Sequence, residues 1–208
     1  ICNGKIIKNY YIFVITTINL VLSILLFAED VVNINVNNSE INWIGRKVTG
    51  EHSGYLKLSN GWISLKNESV ASGILNFDMK TITTTDIESI EWSQKLDEHL
   101  MNEDFFFVDS FPTANLKVKS SRTQDLYLAN PIHIITADLT IRGITNEISF
   151  PVSISSSNNT YIANGSIDID RTLFNIKYKS KTIFPDLGDK FIYDTFTINF
   201  SIKTIPNI

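Results

Sequence analysis

Residues Leu139 to Asp170 read LTIRGITNEISFPVSISSSNNTYIANGSIDID. Ile148, Phe150, Val152 and Ile154 alternate with Ser149, Pro151 and Ser153, and further on Ile167 and Ile169 alternate with Asp168 and Asp170. Successive side chains of a strand point to opposite faces, so a period of two describes strands with one dry and one wet face. Arg142-Gly143 before Ile144 and Ser157-Asn158-Asn159 before Tyr161 are hairpin signals, because Gly and Asn tolerate the left-handed backbone of a tight turn. Strands joined by tight turns are antiparallel neighbours.

The same pattern extends in both directions. Leu75, Phe77 and Met79 alternate with Asn76, Asp78 and Lys80, and Ala114, Leu116 and Val118 with Asn115, Lys117 and Lys119. Phe196, Ile198, Phe200 and Ile202 do so against Thr197, Asn199 and Ser201. Ser59-Asn60-Gly61 reads as a further hairpin between Tyr55–Leu58 and Trp62–Leu65. These signals give about eight to ten strand segments between residues 31 and 203. The expected class is all-β, as a closed antiparallel barrel of about eight strands. Closure removes exposed edges and leaves an interior that can hold one small ligand. A two-sheet sandwich is the alternative with the same strand count.

One segment breaks the alternation. Thr85-Asp86-Ile87-Glu88 reads as a capping box for an amphipathic helix near 86–102, with Trp92, Leu96, His99 and Leu100 on one face. Phe105, Phe106, Phe107 and Phe111 follow without periodicity, as a plug or portal at one end of the barrel would. Upstream, Lys5 and Lys8 precede an apolar run from Tyr10 to Ala28, and Glu29 and Asp30 come next. That order predicts a secretory signal over 1–28 cleaved after Ala28, or an uncleaved anchor, since the run is long enough to span a bilayer. Either exports a single domain over 29–208, periplasmic or secreted, and membrane-anchored if uncleaved.

Acidic residues outnumber basic ones, 22 to 18, which makes nucleic acid a poor partner. Cys2 is the single cysteine and precedes the domain, so neither an intrachain disulfide nor a thiolate metal cluster is expected. His52, His99 and His133 lack metal-site spacing, and no nucleophile elbow or phosphate loop is present. The expectation is a binding protein rather than an enzyme, with no metal and no cofactor. His99 is read as hydrogen-bonding near the barrel mouth, His52 as a turn residue or ligand contact, and Asp168 and Asp170 as solvated.

Four blocks are similar to the YceI-like family. They are Trp43-Ile44-Gly45-Arg46-Lys47-Val48-Thr49-Gly50-Glu51-His52-Ser53-Gly54; His99-Leu100 with Asp104-Phe105-Phe106 and Phe111-Pro112-Thr113-Ala114; Leu139-Thr140-Ile141-Arg142-Gly143-Ile144-Thr145; and Asp170-Arg171-Thr172-Leu173-Phe174-Asn175-Ile176 with Gly188-Asp189. Asn175 stands where the family usually has Gly, and Phe107 where Asp is more usual. The resemblance implies a lipocalin-like eight-stranded barrel, exported in bacteria, that binds polyisoprenoids along its axis. The implied function is non-catalytic binding or transport of a long-chain apolar lipid in the cell envelope. The alternatives are an accessory protein for membrane redox chemistry that holds a quinone or its precursor, and a barrel with a filled core and a structural role. The expected tunnel wall is Leu75, Phe77, Met79, Leu116, Phe150, Val152, Phe196 and Ile198, with Trp92, Phe105 and Phe106 near a portal and His52 and Arg171 as polar contacts. Arg171 either faces an anionic head group or is a structural arginine paired with Asp189 or Asp170. The expected partner is a polyisoprenoid or isoprenoid-quinone-like lipid; membrane contact for ligand exchange and a homodimer are left open.

Overall fold

A computed structural model of the chain describes residues 30–66, 69–124 and 131–206, and the signal or anchor expected over 1–28 lies outside the described residues. Nine strands are present among the described residues: β1 (Asp30–Asn33), β2 (Glu40–Lys47), β3 (Gly50–Lys66), β4 (Ser69–Thr84), β5 (Thr113–Gln124), β6 (Ile132–Ile141), β7 (Ile144–Ser157), β8 (Thr160–Asp170) and β9 (Ile192–Lys203). Consecutive strands from β2 to β9 pair antiparallel, and β9 pairs back onto β2 with Trp43 opposite Ile198, which closes an eight-stranded barrel. β1 is the ninth strand. It borders the second half of β3, where Ile34 N–H donates to Gly61 O at 2.9 Å, and reaches the end of β9, where Asn35 N–H donates to Lys203 O at 2.8 Å. The barrel seam is thereby sealed beyond the point where β2 begins.

The turns follow the sequence signals at two of three places. Arg142 and Gly143 (φ 52° and 72°), and Asn158 and Asn159 (φ 49° and 57°), supply paired left-handed residues to two-residue hairpin loops. Ser59-Asn60-Gly61 is not a turn. It lies inside the 17-residue β3, where the register against β4 slips between Leu58 and Asn60. A bulge bends the strand there, and Asn60 Oδ1 accepts from Asn76 Nδ2 across the sheet at 2.7 Å.

The helix α1 (Ile90–Met101) starts later than the capping box predicts, with Ser89 as its cap. Thr85 is committed elsewhere, since its N–H donates to Ser53 O at 2.9 Å and continues the β4 edge. α1, the following loop 102–112, the β6–β7 turn and the 171–190 segment all lie at the end of the barrel where β4 and β8 finish, here called the helix end. Inward-facing residues form the core, as in β6, where His133, Ile135, Ala137, Leu139 and Ile141 are buried in strict alternation.

Candidate functional site

The inward faces do not meet. They enclose a cavity of about 180 Å³ that reaches the helix end and is lined as far along β2 and β9 as Ile41 and Ile202. Apolar cavities of about 150 Å³ stay dry and accept small hydrocarbons, so this one is large enough to matter chemically. Leu75, Phe77, Leu116, Leu139, Ile148, Phe150, Ile167 and Ile198 form its waist. Met79, Ile82, Leu100, Phe105, Phe106, Ile141, Ile169 and Ile176 surround it toward the helix end. Gly165 makes room for part of this wall. A Cβ there would lie 2.4 Å from Phe200 Cζ, so the ring lies directly over the glycine. Gly54 does the same for Trp43, since a Cβ would fall 2.8 Å from the indole and 1.8 Å from Thr83 O.

Polarity enters at one side of the helix end. Gly45 opposes Phe196 and Lys47 opposes Ile192, so residues 193–195 of β9 face Arg46 alone. This bulge parts the two strands, and Arg46, Tyr193 and Thr195 line the cavity at the gap. Tyr193 both lines the cavity and is 49% exposed, which marks the mouth. Arg46 is held outward by Thr197 Oγ1 at 2.8 Å and Glu51 at 3.2 Å.

The rim is pinned by two arginines. Arg171 is buried and donates to Tyr193 O, Ile176 O and Ile192 O at 3.1, 3.0 and 3.0 Å, and to Asp194 Oδ1 at 3.3 Å. Burial works against its charge, while Asp194 and Asp170 favour it. Burial alone would raise the Asp194 carboxyl, but hydrogen bonds from Thr182 and Ser180 and the Arg171 charge outweigh it and hold the group below its ordinary value. Arg171 is therefore the structural arginine of the two readings, with Asp194 rather than Asp189 or Asp170 as its partner, because β9 turns Asp194 to the same face as Phe196. Arg142 donates to Phe105 O at 2.7 Å and Asn175 O at 3.2 Å, tying the phenylalanine loop to the 171–176 turn. His99 packs edge-on against Phe105 and Tyr178, with ring centroids 5.0 and 4.7 Å away, and lies 3.6 Å from Asp104.

Of the residues expected to meet ligand, Leu75, Phe77, Met79, Phe105, Phe106, Leu116, Phe150, Phe196, Ile198 and Arg171 line the cavity. Three do not. Val152 is buried opposite His133 and does not line the cavity. Trp92 points to solvent, 61% exposed, where Lys95 Nζ sits 4.4 Å above its ring and bonds Glu91 at 2.7 Å. His52 does not line the cavity; its Nδ1 lies 3.0 Å from Asp86 Oδ2, while Asp86 Oδ1 accepts from Ser53 N–H at 3.0 Å. The Asp168 and Asp170 carboxylates are also engaged, by Thr197 at 2.6 Å and by the Thr172 amide and hydroxyl at 2.9 and 2.7 Å. The sequence reading missed Trp43, Leu139 and Ile141, whose alternation with polar or turn neighbours was available, and Ile176, Ile192 and Tyr193, which no periodicity marks.

A model of the YceI-like domain matches residues 33–204. Among solved structures, Burkholderia cenocepacia BcnA superposes with a TM-score of 0.65 at 16% identity, over 83% of this chain and 99% of that one. A polyisoprenoid binding domain from Saccharophagus degradans, implicated in plant cell wall breakdown, gives a TM-score of 0.60 at 12% identity, over 86% and 100%. The Campylobacter jejuni YCEI protein gives 0.52 at 16% identity, over 70% and 80%. At these identities the likeness is one of fold. No curated protein matches. The eight-stranded closure, the apolar interior and the match over 33–204 lead to one assignment: the chain belongs to the YceI-like domain family.

Proposed function

We propose that this protein binds a long-chain apolar lipid, a polyisoprenoid, inside the barrel and carries it in the cell envelope without chemical change. The observation behind this reading is the cavity, lined mainly by Leu, Ile and Phe, with a polar gap at its mouth. Burial of hydrocarbon contributes about 0.8 kcal/mol per CH₂, so affinity grows with chain length and needs few polar contacts. The described lining holds no carboxylate, histidine or cysteine, and Arg171 is saturated by backbone carbonyls and Asp194. That chemistry favours holding a lipid over transforming one. The Saccharophagus degradans domain supports the ligand class. Export rests on the order of Lys5, Lys8, the Tyr10–Ala28 run and Glu29.

A second reading, a quinone or quinone precursor as ligand, is favoured by Trp43. Its indole lines the cavity, yet Nε1 is buried with no hydrogen-bond partner among the described residues. A buried unpaired donor costs about 1–3 kcal/mol, which an acceptor oxygen on the ligand would remove. Native mass spectrometry of protein purified without detergent separates the readings. A bound polyprenyl mass with no quinone absorbance supports the first, and a quinone spectrum in the extract supports the second. Protein that is empty and takes up neither a polyprenol nor a prenyl quinone would defeat both.

A further inference from the structure

The mouth sits beside a surface of unusual composition. Ile183, Phe184 and Tyr193 are all exposed on the segment 177–193, and Val48 and Leu173 are exposed at the same end of the barrel. The segment also carries Lys177, Lys179, Lys181 and Lys190 against Asp186 and Asp189, a local positive excess on a chain whose net charge is −4. Lys47, the last residue of β2 and opposite Ile192, adds to it. The segment is continuous with the cavity. Ile176 precedes it, Ile192 and Tyr193 end it in the lining, and Ile192 N–H donates to Lys179 O at 2.9 Å. Lys181 Nζ lies 4.8 Å above the Phe191 ring, which in turn packs edge-on against Tyr193 at 5.2 Å. Exposed aromatic and aliphatic tips flanked by lysines match an anionic bilayer, where the apolar tips enter the head-group layer and the ammonium groups meet lipid phosphates. The other exposed apolar pair at this end, Ile90 and Trp92, stands beside Glu88 and Glu91, which the same bilayer would repel.

We propose that residues 177–193 dock on an anionic lipid bilayer through Ile183 and Phe184, and that lipid passes between bilayer and cavity through the gap between Arg46 and Tyr193. This rests on the lipid-binding reading above and adds its route. The test uses the full chain with Cys2→Ser and Phe184→Cys, the new thiol carrying an environment-sensitive NBD dye. Because the run Tyr10–Ala28, where retained, is apolar enough to hold the chain on vesicles by itself, the readout must be local. Phosphatidylcholine vesicles containing phosphatidylglycerol should brighten and blue-shift the dye, less so in high salt, and the same dye at Asn158→Cys on the opposite end should not respond. The paired substitutions Ile183→Ser and Phe184→Ser should slow loading of a fluorescent polyprenyl lipid from those vesicles about tenfold, with loading from cyclodextrin unchanged. A dye at position 184 that ignores the vesicles, or a double variant that loads from them at the parent rate, overturns the docking and leaves the apolar tip to a protein partner. Loading by neither route in the parent chain instead overturns the lipid-binding reading, so the two failures are distinct.

Discussion

Arg171 places a guanidinium at the rim of a hydrocarbon cavity and satisfies it with three carbonyls and one carboxylate. Removing it would orphan those carbonyls and leave the partly buried Asp194 without its counter-charge. Arg171→Ala is therefore expected to destabilise the fold by about 3–5 kcal/mol in urea unfolding. Arg171→Lys should recover only part of this, because an ammonium cannot reproduce the planar fork. Titration offers a second residue-scale test. His133 is buried, with Thr123 Oγ1 3.4 Å from Nδ1, and burial lowers its pKa from the ordinary value. Its neutral form is favoured in the fold, so its contribution is present above about pH 6.5 and is lost as pH falls through the folded value. Asp194 and Asp86 are also depressed, the latter because the Ser53 amide and His52 outweigh the opposing effect of burial. Their contributions are present above about pH 3.9 and are lost below it. Stability measured against pH should thus fall in two stages on acidification, and His133→Leu should flatten the first while leaving the second. At this scale the sequence was most legible where one residue type answers one backbone need. Asn175 has φ 61°, which explains why glycine suits that position, and Phe107 has φ 48°, a conformation that a short polar residue adopts more readily. The Arg171 partner was not legible, because the choice among Asp170, Asp189 and Asp194 depends on how the 171–190 segment folds back onto β9.

Among elements, α1 holds the barrel loosely, since none of its residues is fully buried. One side chain does much of the anchoring. Asp97 Oδ1 accepts from the Thr84 amide at 2.7 Å and from its hydroxyl at 2.6 Å, and Thr84 is buried at the end of β4. Asp97→Ala leaves both donors unpaired, which costs about 1–3 kcal/mol and falls on the helix rather than the sheet. Limited proteolysis should show faster cleavage between residues 85 and 112 at temperatures where hydrogen exchange in β6 and β7 is unchanged. If cleavage stays at the parent rate, the tether is not what holds α1. The strands were legible because alternation survives along each of them, and the true hairpins because their turn residues sit in the left-handed region. The two misreadings share a cause. Ser59-Asn60-Gly61 and Thr85-Asp86-Ile87-Glu88 have the composition of a turn and of a cap, yet each is taken up by pairing with a distant strand: Asn60 with Asn76 on β4, and Thr85 with Ser53 on β3. Local chemistry yields where a long, bent strand supplies a better partner.

For the whole molecule, alternation specifies that the barrel interior is dry but not that it is hollow. Whether eight strands close on their own side chains depends on summed volumes, and these become visible only once register is fixed. Here register brings Gly165 under Phe200 and Gly54 under Trp43, so two large rings lie over glycines in the wall, which leaves room inside. Ala114, opposite Phe77 on the neighbouring strand, leaves further room at the cavity wall. Ala114→Phe directs a ring into that space. If the void exists to hold lipid, this variant should keep the fold, because a ring filling empty apolar space gains contacts rather than creating strain. It should also weaken uptake of a polyprenol by an order of magnitude or more. In the parent protein, a lipid supplied at 100 times its Kd should add about 2.7 kcal/mol of stability, a rise in Tm of roughly 5–10 °C. Ala114→Phe should begin with an equal or higher Tm and show almost none of that rise. Thermal scans of both proteins with and without the polyprenol measure this directly. An undiminished rise in the variant would mean that the lipid sits elsewhere on the barrel, and a lowered Tm without lipid would mean that the space near Ala114 is needed by the fold itself.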